Sequence, residues 1–136
     1  MERKVINPWR WQDQFGYVQA NAVSDASRVI YCAGQASVDD DGNPVHEDDM
    51  AGQISQALDN LETVLEQAGA ALSDVVRLNY FVTDIEAFFG AMETIGPRLG
   101  QAQCRPASTL LAVAGLAFPQ LLVEIEATAV LGTAGS

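Results

Sequence analysis

One long amphipathic segment limits the folds open to this chain more than any other feature. Between Met50 and Ala68 the apolar residues recur at spacings of three and four, which places them on one face of a helix. Asp48 or Asp49 can cap the start of this helix, and Gly69 can end it in the left-handed conformation. A helix with a single apolar face has to pack on another layer, and the rest of the chain must supply that layer.

Strand-like segments precede and follow this helix in the sequence, and together they predict a sheet. They are rich in β-branched and aromatic residues and are bounded by turn residues, and they cover 16–23, 28–33, 75–82, 107–114 and 121–131.

A second helix should follow the third of these strands. Thr83 and Glu86 have the spacing of a capping box, and Gly96-Pro97 should break or kink the helix. Its apolar face comprises Ile85, Phe88, Phe89, Met92 and Ile95.

The resulting order, β-β-α-β-α-β-β, predicts an α+β fold in which a single mixed sheet carries two helices on one face. No repeat or linker interrupts it, so residues 1–136 are predicted to form one domain, with an irregular segment at 1–15 and a frayed tail at 132–136. The last strands are apolar on both sides, so we expect the second face of the sheet to be covered by other copies of the chain.

Composition excludes several classes of partner. The net charge is −11, from 18 acidic against 7 basic residues, and no basic cluster offers a surface to nucleic acid. No apolar run is long enough to span a membrane, and the N-terminal residues lack a secretory signal. Two cysteines do not make a disulfide framework, so we expect a cytoplasmic protein.

Few residues can carry chemistry. His46 is the only histidine and lies in a polar loop, so neither a catalytic triad nor a multi-histidine metal site can form within one chain, and we expect no metal. Cys32 lies in an apolar strand and reads as a core thiol. Cys104 has Arg105 beside it, which could lower its pKa, but no base accompanies it.

The remaining candidate is Glu124. In an alternating strand Glu124 and Glu126 point to the same face, together with Leu122 and Thr128. A carboxylate among apolar neighbours should have a raised pKa, which suits a general base. The alternative is an acid pair that faces solvent on an edge strand, and the residues alone do not decide between the two.

A set of short motifs, in this order and at this spacing, resembles the reactive-intermediate deaminase family (Rid, also called YjgF). The resemblance covers roughly residues 15–131. The motifs are Gly16-Tyr17-Val18-Gln19, Tyr31-Cys32-Ala33-Gly34-Gln35, Ala57-Leu58-Asp59-Asn60-Leu61, Phe81-Val82-Thr83-Asp84, Arg105-Pro106-Ala107-Ser108-Thr109 and Val123-Glu124-Ile125-Glu126-Ala127.

The resemblance implies a chorismate-mutase-like fold that assembles as a homotrimer, with the sheets forming a central barrel and clefts at the subunit interfaces. It implies hydrolysis of enamine and imine acids to keto acids and ammonia without a cofactor. In the family an arginine holds the substrate carboxylate, a glutamate positions or activates water, and a tyrosine and a glycine turn shape the pocket.

Carried over to this chain, the resemblance assigns the catalytic role to Glu124 and substrate-binding roles to Tyr17 and Gly34. Ser108 stands where the family has its arginine, and Met92 stands where it has an asparagine. Arg105 lies three residues before Ser108, an odd shift that points it to the opposite face of an extended chain, although its long side chain could curl back from a loop. Both readings of Arg105 stay open.

A serine offers a hydroxyl and no charge, so we expect little activity on simple 2-imino acids. The sequence therefore predicts an enamine or imine deaminase that acts on another small reactive metabolite. The alternatives are a non-catalytic protein that binds a small metabolite and, against the acidity of the chain, an endoribonuclease.

Overall fold

A computed structural model describes residues 1–133 of the chain. The strands are β1 (Glu2–Ile6), β2 (Ala20–Ser24), β3 (Arg28–Tyr31), β4 (Gln35–Ala36), β5 (Val75–Val82), β6 (Ala107–Ala112) and β7 (Val123–Leu131). The α-helices are α1 (Met50–Gln67), α2 (Ile85–Gly90) and α3 (Gly96–Gln101), and short 3₁₀ helices cover Trp11–Phe15, Leu72–Asp74 and Met92–Thr94.

The main sheet has the order β3-β7-β5-β6, and β4 also pairs with β7. Only the β5–β6 pair is parallel, so the sheet is mixed. All three α-helices contribute to one hydrophobic core on one face of this sheet, where Leu78 and Tyr80 of β5 and Ile125 of β7 are buried. The predicted α+β architecture with helices on one face of a mixed sheet is confirmed.

Helix α1 has the predicted capping. The Asp49 side chain accepts a hydrogen bond of 2.9 Å from the Gly52 backbone N–H, which identifies Asp49 as the N-cap. Gly69 follows the last turn with a φ of +80°, the left-handed conformation that glycine adopts without strain.

The predicted second helix is wrong in detail. Asp84, and not Thr83, caps it by accepting a hydrogen bond from the Ala87 N–H, so the capping box does not form. The helix ends at Gly90, and Gly96-Pro97 starts α3 instead of ending α2. Proline is well suited to the first turn of a helix, because the N–H it lacks has no partner there.

The expectation of an irregular segment at 1–15 is also wrong. Strand β1 pairs antiparallel with β2 in a separate two-stranded sheet. Arg3 joins this sheet to the main one, because its guanidinium donates to the carbonyls of Ser73, Val75 and Arg105 at 2.8–3.2 Å. These partners lie 70 or more residues away in the chain, so no local pattern could have indicated the strand. In the predicted tail at 132–136, residues 134–136 lie outside the described residues.

The face of the main sheet opposite the helices is here called the open face. Its side chains include those of Val29, Tyr31, Arg77, Asn79, Phe81, Thr109, Leu111, Glu124, Glu126, Thr128 and Val130. Acids and amides are thus interleaved with apolar residues, and the expectation of a largely apolar second face is wrong. The register explains the difference, because Leu111 pairs with Phe81, which in turn pairs with Glu124, while Val123 and Ile125 point to the helices.

Candidate functional site

Glu124 lies on the open face in the middle of the sheet. Strand β7 has neighbours on both sides, so the alternative of an edge strand is wrong. The Glu124 side chain packs directly on the backbone of Gly34, where an added Cβ would lie 2.8 Å from Glu124 Cγ. Within residues 1–133, no group forms a hydrogen bond or an ion pair with the Glu124 carboxylate. The structure therefore brings Gly34 and Glu124 together and leaves the carboxylate able to accept a proton.

Glu126 points to the same face, as predicted, but has a partner. Asn79 Nδ2 donates a hydrogen bond of 3.0 Å to Glu126 Oε1. The other amide atom, Asn79 Oδ1, is buried and has no partner among the described residues. The two acids of the β7 motif therefore differ, because one is held by a neighbouring strand and the other is not.

A cavity of about 240 Å³ lies on the other side of the sheet, between the Trp11–Phe15 turn, β6 and the segment from α2 to Ile95. We call it the aromatic cavity, and its lining comprises Trp11, Phe15, Gly16, Tyr17, Tyr80, Phe88, Phe89, Met92, Ile95, Ser108, Thr109 and Leu110. Three residues named by the sequence, Tyr17, Ser108 and Met92, meet here. The polar side-chain groups in this lining are the hydroxyls of Ser108 and the two tyrosines and the indole N–H of Trp11. Thr109 directs its side chain to the open face, where its hydroxyl accepts a hydrogen bond from Arg77.

The wall formed by the N-terminal turn is held by a buried amide. Gln12 is fully buried, donates to the Trp9 carbonyl at 2.9 Å, and accepts from Gln19 Nε2 at 3.1 Å. The turn ends at Gly16, whose φ of +75° is the left-handed conformation. This arrangement places the Trp11 ring edge-on to Tyr17, with the ring centroids 6.3 Å apart.

The floor of the aromatic cavity is neutral. Tyr80 packs against Phe88 with a centroid distance of 5.3 Å. Burial raises the pKa of the Tyr80 phenol well above its ordinary value, and the nearby Cys104 thiol adds to the shift. Tyr80 therefore keeps its proton at neutral pH and acts as an apolar wall with one hydroxyl.

Arg105 lines a second cavity of about 310 Å³, here called the arginine cavity. Its lining comprises Arg10, Asp13, Gly16, Tyr17, Val18, Gly96, Leu99, Gly100, Cys104 and Arg105. Arg105 is not among the residues that line the aromatic cavity, so within one chain its side chain does not curl back to take the place of an arginine at position 108. Tyr17 and Gly16 line both cavities.

Cys104 is not a nucleophile in this environment. Burial raises the pKa of the Cys104 thiol to about 12, and the opposing effect of the Arg3 guanidinium is smaller. Burial likewise raises the pKa of Cys32. His46 lies in an exposed loop, as predicted. Among residues 1–133, no three His, Cys, Asp or Glu side chains are grouped so as to hold a metal ion.

One chain does not bring Glu124 and Ser108 to the same ligand. Ser108 pairs with Leu78 and faces the helices, whereas Glu124 pairs with Phe81 and lies on the open face. Strand β5 separates them, and they are offset by three residues along it. The strand spacing and rise give a Cα separation on the order of 14 Å, with the sheet between the side chains. Both residues can act on one molecule only if two copies of the chain contribute.

The family model described as Endoribonuclease L-PSP matches residues 12–131. The chain belongs to this family. A RutC family protein of Pyrococcus abyssi is 30% identical over 113 residues, which are 83% of this chain and 84% of that protein. The resemblance to the Rid family stated above is thereby confirmed.

Solved structures agree with this assignment. A Yersinia pestis protein, YyfB, described as a protein of unknown function of the conserved Rid family, is 36% identical, with a TM-score of 0.85 over 96% of this chain and 100% of that one. Escherichia coli TdcF, solved with bound serine, is 27% identical, with a TM-score of 0.69 over 84% of this chain and 87% of that one.

The sequence missed most of the aromatic residues of the site. Trp11 and Phe15 lie in the segment expected to be irregular, and Phe88 and Phe89 were interpreted only as the core face of a helix. The clustering of aromatic residues in the sequence could have indicated the site, because four of the aromatic side chains in this lining come from two stretches of five residues or fewer. Tyr80 gave no signal, since an aromatic residue in a strand is ordinary core.

Proposed function

We propose that this protein is a Rid-like deaminase, which hydrolyses the C=N bond of a small reactive enamine or imine in a pocket completed by a neighbouring subunit. The observation that carries the proposal is the Glu124 carboxylate, which packs on Gly34 and has no partner within residues 1–133. A half-buried, unpaired carboxylate on a glycine backbone can receive a proton from water without first giving up another bond.

The chemistry needs only proton transfer. Water adds to the imine carbon while Glu124 accepts a proton from it, and the carbinolamine that forms then expels ammonia after its nitrogen is protonated. The balance is one imine and one water giving one carbonyl compound and one ammonia. An enamine enters the same sequence after its tautomerisation to the imine, and no redox partner is required.

Simple 2-imino acids are not the substrates that we propose. Ser108 is neutral and lies among aromatic and aliphatic side chains of the aromatic cavity, so it cannot form the two charge-assisted hydrogen bonds that an arginine gives a carboxylate. The loss of such an anchor costs a few kcal/mol, or about a hundredfold in affinity or rate.

Glu124→Gln tests the proposal. A panel of imines is generated in situ by an amino acid oxidase, and the rate of ammonia release is measured with the native protein and with the variant. The variant should lose most of the turnover and keep the melting temperature, because the amide fills the same volume and cannot accept the proton. Glu126→Gln is the matched control, since Asn79 already holds that carboxylate. Full activity in Glu124→Gln would show that the assignment of the base is wrong.

A non-catalytic metabolite-binding protein is the second candidate. The observation in its favour is Ser108, which removes the family's carboxylate anchor while leaving a formed cavity. TdcF, a relative, has been solved with serine bound. Saturable ligand binding without ammonia release, across the whole panel, would favour this candidate over the deaminase.

An endoribonuclease is the minor candidate, and the description of the family model supports it. The net charge of −11 opposes it, because an RNA backbone is bound mainly through lysine and arginine. Cleavage of a labelled RNA that survives in Glu124→Gln but depends on the protein would favour it.

The proposed setting is the cytoplasm, with a small-molecule ligand and copies of the same chain as the partners. None of the helices within residues 1–133 combines the length and the apolar character that a membrane crossing requires.

A further inference from the structure

We propose that the ligand of this protein is an amphiphilic organic acid, whose bulky apolar body enters the aromatic cavity while its carboxylate is held by Arg105 in the adjoining arginine cavity. This inference rests on the proposed function for the identity of the reacting group, an imine or enamine. It deepens that function by assigning Arg105 as the anion-binding residue and an aromatic or similarly bulky group as the apolar part.

The aromatic cavity selects for an apolar body. Its walls are ring and aliphatic surfaces, of which Trp11 and Phe89 are 55% and 51% exposed in the chain. When an apolar group covers these walls, both the wall surface and the ligand surface are removed from water, which is favourable in proportion to the buried area. A volume of about 240 Å³ accepts a group of the size of a phenyl or indole ring.

Arg105 is an unpaired cation in a strongly acidic chain. Its side chain has no hydrogen bond or ion pair within the described residues, although acidic residues outnumber basic ones by 18 to 7. Arg10 and Asp13, which line the same cavity, already pair with each other at 2.7 Å. The negative charge of Asp13 is therefore balanced by Arg10. Together with Arg105, the charged side chains of the lining carry a net charge of +1.

The two cavities adjoin, and one ligand can span them. Gly16 and Tyr17 belong to both linings, so the two cavities meet at these two residues. A compact 2-imino acid carries its acid and its imine on neighbouring carbons and cannot fill both cavities. An acid in which several bonds separate the carboxylate from the apolar body can do so.

Binding of three probes tests the proposal by calorimetry, with Trp fluorescence as a second readout because Trp11 lines the cavity. The probes are 4-phenylbutanoate, its neutral amide 4-phenylbutanamide, and butanoate. The phenyl acid should bind at least tenfold more tightly than either the amide or butanoate. Arg105→Gln should weaken the phenyl acid about tenfold or more and leave the amide unchanged, because a charge-assisted bond is lost only for the acid.

Two further variants separate the two halves of the ligand. Phe89→Ala should weaken the acid and the amide by the same factor, since it removes apolar wall and no charge. Lys4→Gln removes one positive charge from an exposed position on β1 outside both cavities and should change nothing.

No measurable binding of 4-phenylbutanoate at millimolar concentration would overturn the proposal, as would equal binding of acid and amide or an Arg105→Gln protein that binds like the native one. These outcomes are independent of ammonia release. A protein that fails every deaminase assay can still show the probe pattern, and an active deaminase can still lack it.

Discussion

At the scale of single residues, position 108 matters most for the choice of ligand. Its side chain lies on the helix side of β6, beside Leu78, and contributes a hydroxyl to a cavity built mainly from aromatic rings and aliphatic groups. A cation at this position would be surrounded by apolar surface, so it would be stable there only when it is paired with the anionic group of a ligand.

Ser108→Arg should create binding of pyruvate that the native protein lacks. A bidentate charge-assisted pair contributes about 2 kcal/mol, or about thirtyfold in affinity, and the apolar surroundings together with Met92 will reduce this gain. Calorimetry with pyruvate measures it. Thr63→Arg, which adds the same charge on the exposed side of α1, is the control and should bind no pyruvate. A folded Ser108→Arg protein without pyruvate affinity would contradict the assignment of position 108.

Cys104 makes the stability of the fold depend on pH in the alkaline range. Burial raises its pKa from 9.0 to about 12, so the unfolded chain loses the thiol proton first. The stabilisation is complete below pH 9 and is lost as the pH rises from 9 towards 12. Tyr80, whose pKa is also raised by burial, acts in the same direction at higher pH.

We therefore expect the free energy of unfolding, measured with urea, to fall between pH 8.5 and pH 10.5. Cys104→Ala should show a shallower fall over this interval, because the thiol no longer titrates. An unchanged slope in Cys104→Ala would mean that Cys104 does not cause the dependence.

At the scale of secondary-structure elements, Gln53 joins α1 to the segment that leads into β7. Its side chain is fully buried, donates to the carbonyls of His46 and Gln120 at 3.1 and 2.9 Å, and accepts from the Leu122 N–H at 2.8 Å. It thereby satisfies three backbone groups, one in the loop before α1 and two in the segment before β7, the strand that carries Glu124.

Gln53→Leu should destabilise the fold by about 3 kcal/mol, because it leaves buried backbone groups without partners at about 1–3 kcal/mol each. Chemical denaturation followed by circular dichroism measures the change. Gln67→Leu, at the exposed end of the same helix, is the matched control and should change stability by about 0.5 kcal/mol or less. Equal effects of the two variants would show that the buried amide has no special role.

At the scale of the whole molecule, the open face of one chain has large exposed apolar side chains and a buried polar atom without a partner in the described residues. Tyr31 is 81% exposed and Leu111 is 49% exposed on this face, and Asn79 Oδ1 is buried without a partner in the described residues. Glu124 lies on this face and Ser108 on the other, so the proposed pocket also needs a second copy of the chain.

We expect a homotrimer in solution, in which the open faces of the main sheets face one another. Analytical ultracentrifugation should show about three times the chain mass of 14.5 kDa at micromolar concentration. Leu111→Lys should dissociate the assembly and abolish any ammonia release, since it places a charge in the buried interface. Val64→Lys, which changes an exposed residue on α1 on the other side of the chain, should leave the trimer intact. A stable native monomer would contradict both the assembly and the shared pocket.

The sequence by itself determined the features that depend on neighbouring residues. The periodicity of Met50–Gln67, a cap at Asp48 or Asp49, the β5 strand and the shared face of Glu124 and Glu126 arise from local steric and capping preferences, and all were predicted. The structure then identified Asp49 as the cap. The family motifs likewise indicated the fold, because their order reflects one arrangement of strands and helices.

Only the tertiary structure decided what depends on distant contacts. Strand β1 exists because it pairs with β2 and because Arg3 contacts carbonyls 70 or more residues away. The aromatic cavity forms where the N-terminal turn meets β6 and α2, and the separation of Ser108 from Glu124 follows from the register of both strands on β5. A one-residue change in that register would have put the two side chains on the same face, and no local preference in the sequence fixes it.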